Sequence, residues 1–333
     1  MKMQPLYKIL DGKTLLITGG TGSFGRAFTR AVLSRGNPKK VIVLSRDEQK
    51  HHAMQAEFDD PKIRYFVGDV RDAARMHLAF RGVDVVVHAA GMKHVHICEY
   101  NPLEAINTNV TGTVNVIQAA LDQNVEKVVG VSTDKAVAPV NLYGASKLCL
   151  EKLLVAANSY SGDRSTRFSV VRYGNVMGSA GSVIPLFMRQ RAQGKITITD
   201  ERMTRFWIDM DGAIELVMRA LNLMQGGEIF IPKLPAASVQ VLAETLAPGV
   251  PREVIGIRPG EKLHECLLAQ EECARTRDVG PLLVIEPEFA SWSKPESRGT
   301  PLASGYTYTS DRAELLLSAD AVGNLLRTMP KSA

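Results

Sequence analysis

Side chains that can exchange protons are concentrated near the middle of the chain. Ser132-Thr133-Asp134-Lys135 is followed by Tyr143 and Lys147, so hydroxyls, a carboxylate, a phenol and two amines occur within sixteen residues. Residues four apart on a helix share one face, and a nearby lysine lowers the pKa of a phenol by favouring the phenolate. Tyr143 and Lys147 can therefore take the proton of an alcohol while a nicotinamide takes the hydride. Simple alcohol oxidation needs no second acid and base, so Asp134 and Lys135 indicate a longer reaction.

The elements that must hold these residues alternate between strand and helix in the first half of the chain. Short β-branched runs predict strands at Lys13–Thr18, Val41–Ser45, Ile63–Val67, Val83–Ala89, Val128–Ser132 and Phe168–Tyr173. Helical patterns predict helices at Ser23–Ser34, Asp47–Phe58, Asp72–Phe80 and Pro102–Gln123. This repetition is typical of the α/β class, specifically a Rossmann doubly wound parallel sheet.

The pattern changes after Tyr173, where glycines are followed by shorter, mixed elements. These elements predict a smaller mixed α/β lobe that binds the substrate. We expect residues 10–180 to form the cofactor-binding Rossmann domain, with parts of 205–235 returning to it. Residues 181–330 are then mainly the substrate-binding lobe.

Composition excludes several classes of protein. Of the 333 residues, 45% are hydrophobic and 23% are charged, as in ordinary globular proteins, and the net charge of +5 is scattered without the basic face that nucleic-acid binding needs. No run approaches the roughly 18 apolar residues of a membrane span, and no signal peptide is recognisable. The four cysteines form no C-x-x-C pair, and His88, His94 and His96 lack the spacing of a zinc site. We therefore expect a cytoplasmic protein that binds no metal.

A glycine motif follows the first predicted strand. Gly19, Gly22 and Gly25 recur at three-residue spacing in Gly19-Gly20-Thr21-Gly22-Ser23-Phe24-Gly25, between that strand and a helix. Without side chains the backbone can approach a pyrophosphate, and a helix N-terminus favours its negative charge. The motif predicts that this turn binds the diphosphate of a dinucleotide; the alternative is a tight structural βα turn.

The end of the second strand distinguishes between NADP and NAD. The sequence there is Leu44-Ser45-Arg46-Asp47, so Arg46 stands where an acid would bind the ribose 2′-hydroxyl of NAD. Arg46 can instead pair with the 2′-phosphate of NADP, and Ser45 can add a hydrogen bond. These residues favour NADP, although Asp47 is one position away and keeps NAD open.

Two further strand ends have residues that suit a cofactor. Gly68-Asp69-Val70 ends the third strand, where Asp69 can bind the adenine amine. His88-Ala89-Ala90-Gly91 ends the fourth strand with small residues that leave room for a bound dinucleotide.

Together these motifs resemble those of the extended short-chain dehydrogenase/reductases. The shared features are the glycine motif, Asp69, Ala89-Ala90-Gly91, Asn109 in the following helix, and the Tyr-x-x-x-Lys pair of Tyr143 and Lys147. The resemblance extends from about Leu10 to Ser318. It implies that Asn109 also belongs to the cofactor site and that Lys147 holds the nicotinamide ribose.

Within that family the chain is similar to the inverting UDP-N-acetylglucosamine 4,6-dehydratases, which begin pseudaminic acid synthesis. Retaining nucleotide-sugar 4,6-dehydratases carry Thr-Asp-Glu where this chain has Thr133-Asp134-Lys135, and 4-epimerases have neither acid–base pair. Other shared segments are Glu99-Tyr100-Asn101-Pro102, Thr108-Asn109-Val110, Arg172-Tyr173-Gly174-Asn175-Val176, Met203-Thr204-Arg205-Phe206-Trp207 and Arg258-Pro259-Gly260-Glu261-Lys262. Two features depart from the subgroup: Ala180 stands where an Arg is expected, and His94–Cys98 differs from the expected Pro- and Ala-containing stretch.

The resemblance implies dehydration of UDP-N-acetylglucosamine with inversion at C5, which gives UDP-2-acetamido-2,6-dideoxy-β-L-arabino-hexos-4-ulose. Tyr143 would deprotonate the C4 hydroxyl, assisted by Thr133, while hydride passes to NADP. Lys135, with a pKa lowered by desolvation and neighbouring cations, would remove the C5 proton, and Asp134 would protonate the departing C6 hydroxyl. The sequence leaves open which of Asp134 and Lys135 performs which step.

The second lobe is expected to hold the UDP-sugar. Asn175 and Arg205 are candidates for the diphosphate and sugar, Arg258 for the diphosphate and Glu261 for the ribose, because an Arg fork suits phosphate oxygens. Lys93 follows the fourth strand and can reach substrate or cofactor. The resemblance also implies a homo-oligomer, with a hexamer as one form, and leaves the glycan pathway open.

Two other functions compete with the dehydratase. A UDP-N-acetylglucosamine 4-epimerase, or a capsule-pathway dehydratase/5-epimerase, would share the oxidation and diverge after the 4-keto stage. A non-catalytic NADP-binding sensor would need no phenolate. Replacing Tyr143 with Phe separates the last case, since a sensor would keep its function.

Overall fold

The computed structural model of the chain describes residues 4–162, 164–179, 181–289, 292 and 298–327. Strands and helices alternate through its first half. The strands are β1 Thr14–Thr18, β2 Lys40–Ser45, β3 Ile63–Val67, β4 Val85–His88, β5 Lys127–Thr133, β6 Arg167–Tyr173, β7 Asn175–Val176, β8 Ile196–Ile198, β9 Thr204–Ile208, β10 Ile229–Pro232, β11 Ala236–Ser238, β12 Arg252–Val254, β13 Cys266–Leu268, β14 Thr276–Val279, β15 Leu282–Ile285, β16 Thr300–Pro301 and β17 Tyr308–Thr309.

Ten of these strands form one central sheet in the order β16-β14-β15-β10-β6-β5-β4-β1-β2-β3. The seven strands from β10 to β3 run parallel, and β14, β15 and β16 are added antiparallel at one edge. Every residue of β1 is buried, as expected of a strand covered on both faces. The mostly parallel sheet with flanking helices confirms the predicted Rossmann-like α/β class. The chain reverses its direction of winding between β1 and β4, where such sheets open a crevice at the strands' carboxyl ends.

The helices connect these strands and pack beside them. They are α1 Gln4–Tyr7, α2 Ser23–Arg35, α3 Glu48–Glu57, α4 Ala73–Ala79, α5 Val95–Tyr100, α6 Pro102–Ile106, α7 Gly112–Asp122, α8 Leu142–Ala157, α9 Val183–Ala192, α10 Met210–Leu223, α11 Val239–Leu246 and α12 Ala319–Arg327. The helix predicted from Pro102 to Gln123 is interrupted, because Asn107–Thr111 forms a π-helical turn between α6 and α7. Such turns occur frequently at functional sites.

A second hydrophobic cluster lies outside the central sheet. It joins α9, α11 and α12 to β8 and β9, and its buried members include Phe187, Ile198 and Trp207. Short sheets β11-β9-β7, β12-β8 and β13-β17 complete this part of the molecule. Strands β10, β14, β15 and β16 return to the central sheet, so the division at residues 180 and 181 into cofactor domain and substrate lobe stays a prediction.

None of the helices in the described part of the chain has both the length and the apolar character that crossing a membrane requires.

Candidate active site

A cleft of about 1120 Å³ opens at the carboxyl ends of the parallel strands. Most residues predicted to bind cofactor or substrate line it: Gly19, Thr21, Gly22, Ser23, Phe24, Gly25, Ser45, Arg46, Val70, Ala89, Ala90, Gly91, Lys93, Thr133, Lys135, Tyr143, Lys147, Asn175, Arg205, Arg258 and Glu261. Asp69, Asn109 and Asp134 are not among the residues that line the cleft. Ala180 lies outside the described residues.

The glycine turn is built by close backbone packing. Gly19 has φ +67°, and a Cβ there would lie 2.9 Å from the backbone of Ala90. A Cβ on Gly25 would lie 2.4 Å from the carbonyl oxygen of Gly20, so α2 could not begin so close to β1 with any larger residue. Gly22 is the N-cap of α2 and provides no side-chain cap. The first-turn N–H groups of α2 are therefore free of a capping side chain, which suits an anion at this helix end.

Two positively charged side chains, Arg46 and Lys50, follow the end of β2. Arg46 lines the cleft and lies 3.9 Å from Asp69, whose carboxylate also accepts from Arg71 at 2.7 Å. Burial alone would raise the pKa of Asp69, but its bonds with Arg71 hold that pKa below its usual value. Asp47 is the N-cap of α3 and accepts from the Lys50 N–H at 3.0 Å. Its carboxylate is thus engaged by the backbone, while Arg46 and Lys50 face the cleft.

Asn109 connects the turn after β4 to helix α8. Its Oδ1 accepts from the Met92 N–H at 2.8 Å, and its Nδ2 donates to the Met92 carbonyl at 3.0 Å and to Ser146 Oγ at 2.9 Å. The side chain is fully buried. Both polar atoms of the side chain are therefore bonded to protein, and they tie Met92, which lines the cleft, to helix α8.

Helix α8 presents Tyr143 and Lys147 to the cleft. Its N-cap is Asn141, whose Oδ1 accepts from the Gly144 N–H at 2.7 Å. A Cβ on Gly144 would lie 2.1 Å from the carbonyl oxygen of Lys135, so only glycine allows the helix this close to the Asp134–Ala136 turn. The same turn is bonded from the second lobe, because Lys262 Nζ donates to the Val137 carbonyl at 2.5 Å.

The phenol and the amine are both buried, and burial disfavours the charged form of each. Burial raises the pKa of Tyr143 to about 12, although the charge of Lys135 and a hydrogen bond with Thr133 act in the opposite direction. Burial lowers the pKa of Lys147 to about 8, and its Nζ donates to the Val131 carbonyl at 2.9 Å. At a pKa of about 8, Lys147 is still mostly protonated near pH 7. Lys135 is the cation that acts to lower the Tyr143 pKa in this structure, whereas the sequence pointed to Lys147.

Asp134 and Lys135 form a hydrogen-bonded pair. Asp134 is completely buried, and its Oδ1 lies 3.0 Å from Lys135 Nζ and 2.9 Å from Thr133 Oγ1. Its second oxygen has no hydrogen-bond partner in the described structure. Burial raises the pKa of Asp134, as the role of an acid requires.

The predicted lowering of the Lys135 pKa is wrong. Burial acts in that direction, but Asp134 and Glu265 outweigh it and hold the pKa of Lys135 above its ordinary value. Glu265 Oε1 lies 3.0 Å from Lys135 Nζ, and Arg205 Nε lies 3.7 Å from the same oxygen. The resting side chain is therefore an ammonium ion between two carboxylates, instead of a lysine surrounded by cations.

Glu265 is a site residue that the sequence reasoning missed. It directly precedes β13, is only 2% exposed, and lines the cleft. Its neighbours Lys135, Arg205 and Lys262 hold its pKa below the usual value against the effect of burial. The available signal was an acid directly before the apolar run Cys266-Leu267-Leu268.

The residues predicted to bind the substrate lie in different surroundings. Asn175 Oδ1 lies 3.4 Å from Lys135 Nζ, so it belongs to the acid–base cluster. Arg205 donates to the carbonyls of Thr204, Lys262 and Leu263, which leaves its guanidinium largely engaged by the protein. Arg258 and Glu261 line the cleft, and burial lowers the pKa of Lys93.

The cleft has the polar groups that a nucleotide and a sugar need. Several buried oxygens on its wall have no hydrogen-bond partner within the described part of the protein: Thr108 Oγ1, Ser182 Oγ, Glu261 Oε2 and Glu265 Oε2. Buried polar groups are normally paired, so these atoms mark positions for ligand groups. Across the described residues no cluster of three His, Cys, Asp or Glu side chains is arranged to hold a metal ion.

The fold and this cleft define an extended short-chain dehydrogenase/reductase, which confirms the resemblance found in the sequence. Residues 15–287 match the family described as "Polysaccharide biosynthesis protein", and the chain belongs to that family.

Two curated relatives have different names. UDP-N-acetylglucosamine 4,6-dehydratase (inverting) of Campylobacter jejuni subsp. jejuni serotype O:23/36 (strain 81-176) is 47% identical over 313 residues, covering 91% of this chain and 94% of that protein. UDP-glucose 4-epimerase of Rickettsia akari (strain Hartford) is 45% identical over 330 residues, covering 95% of this chain and 96% of that protein.

Two solved structures share the architecture. Pen from Bacillus thuringiensis has a TM-score of 0.89 and 39% identity, covering 96% of this chain and all of that chain. DesIV from Streptomyces venezuelae, a dTDP-glucose 4,6-dehydratase solved with NAD and TYD bound, has a TM-score of 0.68 and 27% identity, covering 75% of this chain and 86% of that chain.

Proposed function

We propose that this protein is an inverting UDP-N-acetylglucosamine 4,6-dehydratase that uses NADP. The observation that carries the proposal is the Asp134–Lys135 pair, with its 3.0 Å contact, on the turn that packs against the helix of Tyr143 and Lys147. The relative from Campylobacter jejuni with that name supports the assignment of substrate and reaction.

The residues of the chain account for the proton transfers. Tyr143, with Thr133 beside it, takes the proton of the C4 hydroxyl. The nicotinamide, when bound, takes the C4 hydride and later returns it to C6. The resulting C4 ketone makes the C5 hydrogen acidic, so the next step needs a base near C5 and an acid near the C6 oxygen.

The Asp134–Lys135 pair can supply both groups at once. Transfer of one proton along their 3.0 Å hydrogen bond converts ammonium and carboxylate into amine and carboxylic acid. Lys135 then takes the C5 proton while Asp134 protonates the C6 oxygen, and water leaves; both residues return to their starting charges. A proton that later reaches C5 from the opposite face inverts that centre. Each positioned proton transfer contributes roughly 10²–10⁴-fold to the rate.

The cofactor preference and the assembly state are part of the proposal. The nicotinamide cofactor is supported by the NAD held in the DesIV structure, and NADP is favoured by Arg46 and Lys50 on the cleft wall together with the engagement of Asp47 at its helix cap. Calorimetric titration with both dinucleotides tests this preference. We also infer a homo-oligomer from the family resemblance, which light scattering measures directly.

The second candidate is a 4-epimerase, favoured by the 45% identity to the Rickettsia akari protein of that name. An epimerase returns hydride to C4 and has no step at C5 or C6. Its reaction would therefore not use Asp134 and Lys135.

One experiment separates the candidates. The protein is incubated with UDP-N-acetylglucosamine in heavy water and the product is followed by NMR. A 4-keto-6-deoxy product with deuterium at C5 and the L configuration is the expected result. UDP-N-acetylgalactosamine would support the epimerase, and unchanged substrate would contradict both enzymes. Lys135→Ala is expected to abolish exchange at C5 while NADP binding persists.

A further inference from the structure

We propose that Glu265 is a positioning residue that holds the Lys135 ammonium against Asp134. It also disfavours the loss to solvent of the proton that Lys135 and Asp134 exchange. The inference rests on the dehydratase function proposed above, in which that pair acts as base and acid. Its basis is the geometry around one nitrogen atom.

The Lys135 ammonium has three oxygen neighbours. Asp134 Oδ1 and Glu265 Oε1 both lie 3.0 Å from Nζ, and Asn175 Oδ1 lies 3.4 Å away. An ammonium group has three N–H donors, so the three acceptors match its full capacity. The nitrogen is thereby fixed in direction as well as in distance, and its contact with Asp134 is the one along which a proton can move.

The backbone holds Glu265 firmly in this position. Its N–H donates to Ser310 Oγ at 2.9 Å, and its carbonyl accepts from the Ser310 N–H at 2.9 Å. Ser310 is completely buried, and its Oγ also bonds Thr204 Oγ1 at 2.7 Å. The carboxylate therefore reaches Lys135 from a backbone segment that is tied to Ser310 by two hydrogen bonds, directly before β13.

Burying a second carboxylate beside Lys135 costs free energy, because Asp134 alone already neutralises the charge of the lysine. The charged and titratable groups facing the cluster are Asp134 from its own turn, Glu265, Arg205 and Lys262 from the second lobe, and Tyr143 from α8. The positive charges of Arg205 and Lys262 compensate the negative charge of Glu265, so this second carboxylate has counter-ions of its own.

The consequence concerns where the proton can go. The negative charge of Glu265 favours the protonated forms of both Asp134 and Lys135. Release of the Lys135 proton to solvent would leave two carboxylates beside a neutral amine. Transfer to Asp134 keeps the total charge constant, so the structure favours movement within the pair.

The test uses Glu265→Gln, which keeps size and hydrogen bonding but removes the charge. Product formation from UDP-N-acetylglucosamine is measured across pH for wild type, Glu265→Gln and Glu265→Asp. Removing the charge lowers the pKa of both Asp134 and Lys135, so both limbs of the bell-shaped kcat profile should move to lower pH by about one unit, a tenfold change in rate on each limb. Glu265→Asp keeps the charge and should keep the wild-type limb positions, even with a lower rate.

Glu271→Gln is the matched control, since Glu271 is an exposed acid six residues further along the chain. It should leave the profile unchanged. A Glu265→Gln profile that falls equally at every pH without moving would overturn the proposal and leave Glu265 a purely structural residue.

A second measurement does not depend on turnover. In protein with ¹³C-labelled lysine ε-carbons, the Lys135 signal is identified by its loss in Lys135→Ala and titrated with pH. It should titrate about one unit lower in Glu265→Gln than in wild type, and an unchanged titration would refute the placement of Glu265. If this shift is found while wild type forms no C5-exchanged product, the electrostatic role of Glu265 stands and the dehydratase function fails.

Discussion

Replacing Lys135 with Met should destabilise the protein in a pH-dependent way. The substitution keeps the length of the side chain but removes the cation 3.0 Å from both Asp134 and Glu265. Unit charges at this separation attract by about 5 kcal/mol at an effective dielectric constant of about 20. Breaking a buried ion pair costs about 3–5 kcal/mol, and the 22% exposure of the Lys135 side chain places the expected loss near 3 kcal/mol.

The sign of the pH dependence follows from Asp134. Its folded pKa is already raised above the unfolded value by burial, and it rises further once Lys135 is gone. A carboxyl with a raised folded pKa is stabilised by protonation, so the penalty is complete at high pH and shrinks as pH falls. Lys135→Met should therefore lose most stability near about pH 8 and regain part of it near about pH 5.

Urea unfolding followed by tryptophan fluorescence measures this loss at both pH values. Lys195→Met is the matched control, because Lys195 pairs with Glu253 at the surface and should contribute less than about 1 kcal/mol at either pH. A loss for Lys135→Met that is equally large at both pH values, or no larger than that of the control, would refute the reasoning about the buried cluster.

Three other substitutions test the residues proposed to bind the cofactor and to form the catalytic site. Tyr143→Phe should reduce turnover by roughly 10²–10⁴-fold while calorimetry shows unchanged NADP affinity, because only the proton-accepting oxygen is removed; full activity would exclude its role. Arg46→Ala should weaken NADP binding by about tenfold or more without weakening NAD binding, as measured by titration. An equal loss for both dinucleotides would show that Arg46 does not pair with the 2′-phosphate. Gly144→Ala puts a Cβ 2.1 Å from the Lys135 carbonyl, so urea unfolding should show a loss of about 1–3 kcal/mol together with reduced turnover, whereas wild-type behaviour would show that the contact relaxes freely.

The fold was predictable because its signals are local. Strands buried on both faces are continuous apolar runs, and the six predicted strands of the first half correspond to β1 through β6 of the parallel sheet. Helix α5 was missed because it is short and its N-cap residue, His94, makes no capping hydrogen bond with its side chain. The π-helical turn at Asn107–Thr111 has no sequence signature that distinguishes it from α-helix.

The charge state of the site could not be predicted, because it depends on a contact between distant parts of the chain. Glu265 follows Lys135 by 130 residues, and only the folded structure brings them to 3.0 Å. Asn109 was expected to contact the cofactor, but its hydrogen bonds to Met92 and Ser146 are visible only in three dimensions. Residue types and spacing predict Asp134, Lys135, Tyr143 and Lys147 as catalytic residues, whereas the pKa of each depends on burial and on partners elsewhere.

The origin of Glu265 in the second lobe has a consequence for the newly synthesised chain. The glycine turn and the strands that form the nucleotide wall are complete before residue 180, but the second counter-ion of Lys135 and the Lys262 bond to the Val137 carbonyl come from the last third of the sequence. A ribosome-bound chain that has released only its first half therefore lacks Glu265 and Lys262, and its Asp134–Lys135 cluster is incomplete. We expect the complete cluster only after the C-terminal third of the chain has packed against the first half.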